Sequence, residues 1–336
     1  MIKRTILFFS LVMFLPVIIY ADTYWGGALP NISDTKLKVE VTLDGDIYIY
    51  SYTIISSPTN TGEIWSFNID IKQPQDGIKL SREGLVNGHG YAKHTSTQIL
   101  SEPATPKMVP VGLWSPPNWI SGLTVFGQAG WNSRDAKYRI YSGQSLSNFL
   151  ITSRGLPGLR DFMIQPKLIP PSAHETDLTP EESLAMVKDV KDKVSFKGKT
   201  IGPTAPPADF KPIEFLNYII SLKHEVYNLG WIVQGGDDDK GKKEDEQKGI
   251  IKSLDKKLEK AKAELVKGDT REAIEKLKSF IHEVEALYKK DKEEKHKKEE
   301  EHSHITSEAY ALLKYNAIYL IEQLGGEWKD KNDKKD

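Results

Sequence analysis

The chain has 336 residues, and its 46 basic side chains nearly balance 47 acidic ones. That balance argues against general nucleic-acid binding, which depends on a basic surface. The chain contains no cysteine. Disulfides, thiolate metal sites and a cysteine nucleophile are therefore excluded.

The first 21 residues predict a secretory signal peptide. Lys3 and Arg4 precede a short apolar run that contains Pro16 and ends at Ala21. A retained membrane anchor is the alternative, but the run is shorter than the roughly 20 apolar residues that a spanning helix needs. Cleavage after Ala21 removes two basic residues, which moves the net charge from −1 to −3. The mature protein is expected to be periplasmic or extracellular and to have no membrane span.

Residues 22–166 predict an antiparallel β-sandwich domain. Apolar residues alternate with polar ones between clusters of Gly, Pro, Asn and Ser, which is typical of half-buried strands and their turns. One such strand is expected at residues 63–71, where the residues on the apolar face are Trp65, Phe67, Ile69 and Ile71. Two sheets of this kind bury their apolar faces only against each other, so this part of the chain should form a sandwich.

Residues 167–212 predict a proline-rich linker that contains one short helix. Thr179 can cap this helix, Pro180 suits its first position, and Glu182 completes a capping box. The later residues 196–207 contain too many prolines for a helix. They are expected to be extended and to pack along a neighbouring segment.

Residues 213–326 predict a four-helix bundle, followed by a charged tail at residues 327–336. Four segments carry apolar residues three and four positions apart, which is the period of an amphipathic helix. Gly268 can end the second helix, Asp269 can begin the third, and Thr306 can cap the fourth. The short connection between the second and third helices requires them to be antiparallel, and a small bundle buries all four apolar stripes.

Several motifs fall between residues 254 and 324: Phe-Ile-His-Glu-Val-Glu-Ala at 280–286, Lys-Gly-Asp at 267–269, and Asn-Ala-Ile at 316–318. Together they resemble the FIMAH-type helical domain found at the C-terminus of bacterial exported and surface proteins. A long insertion rich in Lys, Glu and His before the fourth helix departs from that pattern. The resemblance implies an accessory or interaction module without catalytic residues.

Two shorter motifs occur in the β-rich half. They are Gly-Gln-Ser-Leu-x-x-Phe at residues 143–149 and Leu-Pro-Gly at residues 156–158. They resemble Ig-like modules of secreted bacterial proteins. The resemblance implies that the predicted sandwich is Ig-like.

Five aromatic residues are the candidates for ligand contact. Trp114 and Trp119 flank Ser-Pro-Pro-Asn at residues 115–118, and an indole face on a stiff loop can stack on a sugar ring. The alternative is that both tryptophans close the core, because tryptophan is usually highly buried. The same two interpretations, binding stripe or sheet core, apply to Tyr48, Tyr50 and Tyr52.

A metal site could be formed by three histidines in a run of glutamates and lysines. Imidazole and carboxylate groups are good ligands for zinc or nickel. The alternative is a solvated charge run, because ordering a flexible loop around an ion costs conformational entropy. The histidines are His296, His302 and His304.

No catalytic motif is present, since the chain has neither Gly-x-Ser-x-Gly nor His-Glu-x-x-His. The sequence therefore predicts a non-catalytic, exported binding or adhesion protein without a cofactor. Its expected partner is a cell-surface or envelope glycan or protein. The alternatives are an envelope polysaccharide hydrolase with a helical accessory domain, and a structural envelope subunit.

Overall fold

The computed structural model describes residues 28–71, 87–89, 111–123, 127–169, 178–232, 240–293 and 304–329. These ranges form two β-sheets and five α-helices, so the predicted mixture of β and α structure is confirmed. The predicted signal peptide, residues 1–21, lies outside them. Within the described ranges, no helix has the length and apolar character needed to cross a membrane.

Ten strands make up the two sheets. They are β1 (Lys36–Asp44), β2 (Ile47–Ile55), β3 (Ile64–Asp70), β4 (Asn87–His89), β5 (Val111–Ser115), β6 (Trp119–Leu123), β7 (Gln128–Ser133), β8 (Ser145–Ser153), β9 (Leu156–Pro166) and β10 (Phe196–Thr204). The first sheet has the order β1-β2-β8-β5-β4, and the second has the order β10-β9-β3-β7-β6. The short β4 runs parallel to β5, whereas the other strand pairs of the described residues are antiparallel.

Aromatic side chains fill the space between the two sheets. Phe67 of β3 lies edge-to-face against Tyr52 of β2 and Phe149 of β8, with ring centroids 5.6 Å apart in both pairs. Trp119 of β6 also meets Phe149 edge-to-face, at 5.0 Å. Since each pair joins one sheet to the other, the two sheets pack face to face around a common aromatic core.

The strand predicted at residues 63–71 forms as β3, but its apolar face is shorter than predicted. Phe67 is fully buried, as are the two isoleucines that follow it on the same face. Trp65 is only half-buried, and the Nζ of Lys167 lies 5.1 Å from its ring. The register between β3 and β9 shifts between Ile64 and Ser66, so a bulge turns Trp65 away from the predicted face.

The predicted short helix and the extended segment after it are both present. Helix α1 (Pro180–Val194) begins with the predicted capping box, in which Glu182 N–H donates to Thr179 Oγ1 at 3.3 Å and Thr179 N–H donates to Glu182 Oε2 at 2.8 Å. The proline-containing stretch that follows forms β10, which pairs with β9 along its whole length. The expectation that this stretch is extended and packs along a neighbour is confirmed.

Four further helices pack in a closed cycle. They are α2 (Pro212–Asn228), α3 (Lys240–Lys267), α4 (Thr270–Glu293) and α5 (Ser307–Gln323). Helix α2 packs against α3, α3 against α4, α4 against α5, and α5 against α2. Gly268 separates α3 from α4 at φ +81°, a conformation that glycine adopts without strain. Thr306 caps α5 by accepting a hydrogen bond from Ala309 N–H at 3.3 Å.

Helix α5 also lies against β1, the edge strand of the first sheet. Val39 N–H donates to Glu308 Oε1 at 3.2 Å, and Ser307 Oγ donates to the Val39 carbonyl at 2.7 Å. Tyr315 Oη donates to the Val41 carbonyl at 3.2 Å. Side chains of α5 thus bond backbone groups that a neighbouring strand would otherwise pair, and they seal this edge of the sheet.

The same helix contacts the second sheet. Asn316 Nδ2 donates to the Pro157 carbonyl of β9 at 2.8 Å, and Asn316 is fully buried. On the first sheet, the ring of Tyr48 in β2 meets that of Tyr315 edge-to-face at 5.4 Å. The buried apolar residues of the sheets and of α2–α5 form one continuous core. Within the described residues, helix α5 therefore joins both sheets to the other helices.

Candidate functional site

Trp119 lies in the core between the two sheets. It is 1% exposed, and its Nε1 donates to the Tyr138 carbonyl at 2.9 Å. An indole enclosed in this way offers no open face to a sugar ring. This position fits the alternative interpretation, in which Trp119 closes the core.

Trp114 is also buried, at 3% exposure, but on the other side of the first sheet. Its neighbour Leu113 belongs to the core, so the alternation of β5 points Trp114 away from it. A Cβ atom on Gly112 would lie 2.2 Å from Trp114 Cζ3 and 2.4 Å from Thr152 Oγ1. The absence of a side chain at Gly112 leaves the space that the indole fills, and the ring is not presented to a ligand.

The three tyrosines predicted as a binding stripe are buried as well. Tyr50 Oη donates to the Gly155 carbonyl and Tyr52 Oη to the Ile201 carbonyl, both at 2.8 Å. Burial raises the pKa of both phenols well above the usual value. Tyr48 packs on Tyr315 of α5. The hydroxyls of Tyr50 and Tyr52 hold main-chain carbonyls in the interior, so the positions of the three tyrosines fit the sheet-core interpretation.

Of the three histidines predicted as metal ligands, His296 and His302 lie outside the described residues. His304 is half-buried just before α5. Among the residues that the structure describes, no group of three or more His, Asp or Glu side chains could hold a metal ion.

A cleft on the outer face of the second sheet brings together polar side chains from four strands. Its volume is about 450 Å³. Strands β3, β7, β9 and β10 lie side by side in this part of the sheet. The polar residues that line the cleft are Asn68, Asp70, Gln128, Asp161, Lys197 and Lys199.

The strand register arranges the cleft residues in rows across the sheet. Asp161 of β9 lies opposite Lys199 of β10, and Asp70 of β3 lies opposite Gln128 of β7. Ile69 pairs with Phe162, so the next residues along the two strands, Asp70 and Asp161, are adjacent. Opposed residues on antiparallel strands have Cβ atoms about 4.5–5.5 Å apart. Two carboxylates therefore stand near the middle of one row.

The second row combines an apolar side chain with an amide and a lysine. Met163 lies between Asn68 on β3 and Lys197 on β10. Asn68 Nδ2 donates to Ser66 Oγ at 3.1 Å, and a Cβ on Gly130 would lie 2.6 Å from Asn68 Oδ1. The lack of a side chain at Gly130 allows the Asn68 amide to lie across the neighbouring strand.

Both lysines of the cleft form ion pairs with carboxylates. Lys199 Nζ lies 2.7 Å from Asp161 Oδ1, and Lys197 Nζ lies 2.9 Å from Oδ1 of Asp192 on helix α1. The hydrogen bond from Lys197 lowers the pKa of Asp192. All four side chains are exposed, so each pair contributes little to stability. The two ion pairs instead determine the charge that a ligand meets in the cleft.

Sequence reasoning missed this cleft because its residues have ordinary positions. Asn68 and Asp70 alternate outward on a strand, which is where polar side chains are expected in any sheet. The residues come from positions 68 to 199, and only the register of four strands places them together. No spacing along the chain indicates that register.

A buried lysine lies elsewhere, between helices α2 and α3. Lys223 is fully buried, and its Nζ contacts Asp255 Oδ1 and lies 3.3 Å from His224 Nε2. Burial lowers the pKa of Lys223 to about 8, and the nearby charge of Glu259 offsets only part of this effect. The side chain belongs to the helix interface and does not line the cleft.

Lys223 is expected to make the free energy of unfolding depend on pH. Between pH 8 and the unfolded value of about 10.4, the unfolded chain binds more protons at this site than the folded chain. We therefore expect the contribution of Lys223 to the free energy of unfolding to rise with pH across this window. Urea unfolding at pH 7.5, 8.5 and 9.5 should show a smaller rise in Lys223→Met. The exposed Lys252→Met is the control, and an unchanged slope in Lys223→Met would refute the assignment.

Comparison with known proteins adds no further residues to the cleft. No protein-family model matches the chain, and no curated protein matches it. The resemblance of residues 254–324 to FIMAH-type domains stays a prediction.

Proposed function

We propose that the protein is a non-catalytic binding protein that contacts a cell-surface glycan or protein partner through the cleft of the second sheet. The observation that carries this proposal is the array of six polar side chains held by β3, β7, β9 and β10 in one cleft. Strands position side chains more rigidly than loops do, so such an array suits the recognition of a polar ligand.

The proposal also includes export of the protein and the folds of the two halves of the chain. Export is supported by the charged and apolar pattern of residues 1–21, and it would bring the cleft to envelope or extracellular polymers. We further propose that the two packed sheets form an Ig-like sandwich. The cyclic packing of α2–α5 supports a four-helix bundle, which we propose to be FIMAH-like from about residue 250.

A hydrolase is the second candidate, because two carboxylates line the same cleft. Retaining glycosidases use two carboxyl groups about 5–5.5 Å apart, one as nucleophile and one as acid and base. Asp70 and Asp161 lie on adjacent strands at neighbouring positions. The proximity of these two side chains favours the hydrolase over the structural subunit among the alternatives.

One sedimentation experiment separates binding from hydrolysis. The chain from residue 22 to 336 is incubated with insoluble cell-wall, polysaccharide and surface-protein preparations, and the pellet is assayed for protein and the supernatant for released sugar. We expect retention without release. Asp70→Asn combined with Asp161→Asn should weaken retention about ten-fold or more, because hydrogen bonds to charged groups contribute about 1.5–3 kcal/mol each.

The control variant is Glu40→Gln, which alters an exposed carboxylate on β1, in the other sheet. Release of sugar that stops in the double variant would establish the hydrolase instead. Equal retention of the double variant and the unaltered chain would show that the cleft is not the binding site.

A further inference from the structure

The charges and hydrogen-bonding groups of the cleft suit an uncharged ligand. We propose that it binds a neutral, hydroxyl-rich glycan chain, an inference that rests on the proposed binding function and narrows it to one ligand class. Three properties support it: the pairing of its charges, the mixture of hydrogen-bond donors and acceptors, and its single apolar contact surface.

The charges of the cleft are already matched within the protein. Lys199 is held by Asp161 at 2.7 Å, and Lys197 is held by Asp192 at 2.9 Å. Asp70 adds a further carboxylate to the lining. A phosphate or carboxylate ligand would have to compete with these carboxylates for the two lysines. Anionic polymers, including nucleic acids and uronic-acid glycans, are therefore disfavoured.

The hydrogen-bonding groups of the cleft match those of sugar hydroxyls. Asn68 and Gln128 each provide a donor and an acceptor in one side chain, whereas the aspartates accept and the lysines donate. A hydroxyl group both donates and accepts, so neighbouring hydroxyls of a sugar ring can each find a partner here. Recognition of this kind requires no net charge on the ligand.

The apolar part of the cleft fits one sugar ring better than a protein surface. Met163 is half-buried between the two flanking polar residues of its row, where it can contact the C–H face of a ring. Phe162 is buried, and its ring fills the space above Gly198, where a Cβ would lie 2.8 Å from Phe162 Cε1. Protein interfaces are centred on exposed aromatic anchors with few charges, and this cleft has the opposite composition.

The test measures retention of the chain from residue 22 to 336 on beads of neutral glucan, mannan and chitin, on polygalacturonate, and on immobilised surface proteins, at 20 mM and 500 mM NaCl. We expect retention on at least one neutral glycan that changes less than two-fold with salt. Asn68→Ala combined with Gln128→Ala should weaken this retention at least ten-fold. Lys38→Ala combined with Glu40→Ala, on the exposed face of β1, should leave it unchanged.

Asn68 also lies across Gly130, so its replacement could change the stability of the sheet. The thermal midpoint of each variant is therefore recorded. If the double variant is unstable, Gln128→Ala alone is used to test the cleft. Retention only on polygalacturonate that is lost at 500 mM NaCl, or only on immobilised proteins, would overturn the glycan assignment and leave the binding function in place. No retention on any support would overturn the binding function itself.

Discussion

Deleting helix α5 is expected to unfold the sheets together with the helices. Twelve of its 17 residues are buried, and the core that they complete is shared by both halves of the chain. Full burial of one Leu or Ile side chain contributes about 1.5–3 kcal/mol, so the loss of several exceeds the 5–15 kcal/mol by which a typical domain is stable. The deletion also opens the backbone of β1 that Ser307, Glu308 and Tyr315 now bond.

The measurement compares a chain that ends at residue 303 with one that ends at residue 329. Near-ultraviolet circular dichroism reports the fixed environment of Trp119 and Trp131, which lie between the sheets. We expect this signal and the cooperative thermal transition to be lost in the shorter chain and kept in the longer one. A shorter chain that keeps both would show that the sheets fold as an autonomous domain.

Replacing Lys314 by methionine is expected to cost about 3–5 kcal/mol, because the buried carboxylate of Glu285 loses its buried cation and keeps only the exposed His282, whose Nδ1 lies 3.5 Å away. Lys314 Nζ lies 2.9 Å from Glu285 Oε1 and 2.9 Å from Tyr310 Oη, and both charged residues are less than a tenth exposed. Burial alone would lower the pKa of Lys314. The hydrogen bonds with Tyr310 and Glu285 outweigh it and raise the pKa above the usual value.

Urea unfolding of three variants tests this assignment. Lys314→Met combined with Glu285→Leu should recover most of the loss, since a buried pair replaced by apolar groups of similar volume is often neutral. Lys278→Met removes a lysine from a partly exposed pair with Glu275, both on α4, and should change stability by less than about 0.5 kcal/mol. A loss in Lys314→Met no larger than in Lys278→Met would contradict the importance of the buried pair.

Local features of the fold followed from the sequence, because neighbouring residues determine them. The capping box at Thr179, the glycine at Gly268 and the cap at Thr306 are set by side chains within a few positions of one another. Long-range placement could not be predicted in the same way. The bulge at Trp65 depends on its pairing with β9, and the contact of Ser307 with Val39 joins residues 268 positions apart.

The candidate site was harder to predict than the fold. Trp114 and Trp119 are candidates because of their residue type, yet large aromatic rings suit a core as well as a binding face, and both rings are buried. The polar residues of the cleft carry no distinctive spacing. Asp70 becomes noteworthy only when β9 places Asp161 beside it, and that register is a property of the whole sheet.

The contact between β1 and α5 also determines when the edge of β1 can be covered during synthesis of the chain. The hydrogen bond from Val39 to Glu308 spans 269 positions, and that from Tyr315 to Val41 spans 274. At roughly 5–20 residues per second, synthesis of the intervening chain takes about 13–55 s. During that interval α5 is not yet available to cover the edge of β1, and an open strand edge can pair with another chain. The period of greatest exposure to aggregation is therefore set by the time at which the last helix becomes available, rather than by how quickly the sheets can form.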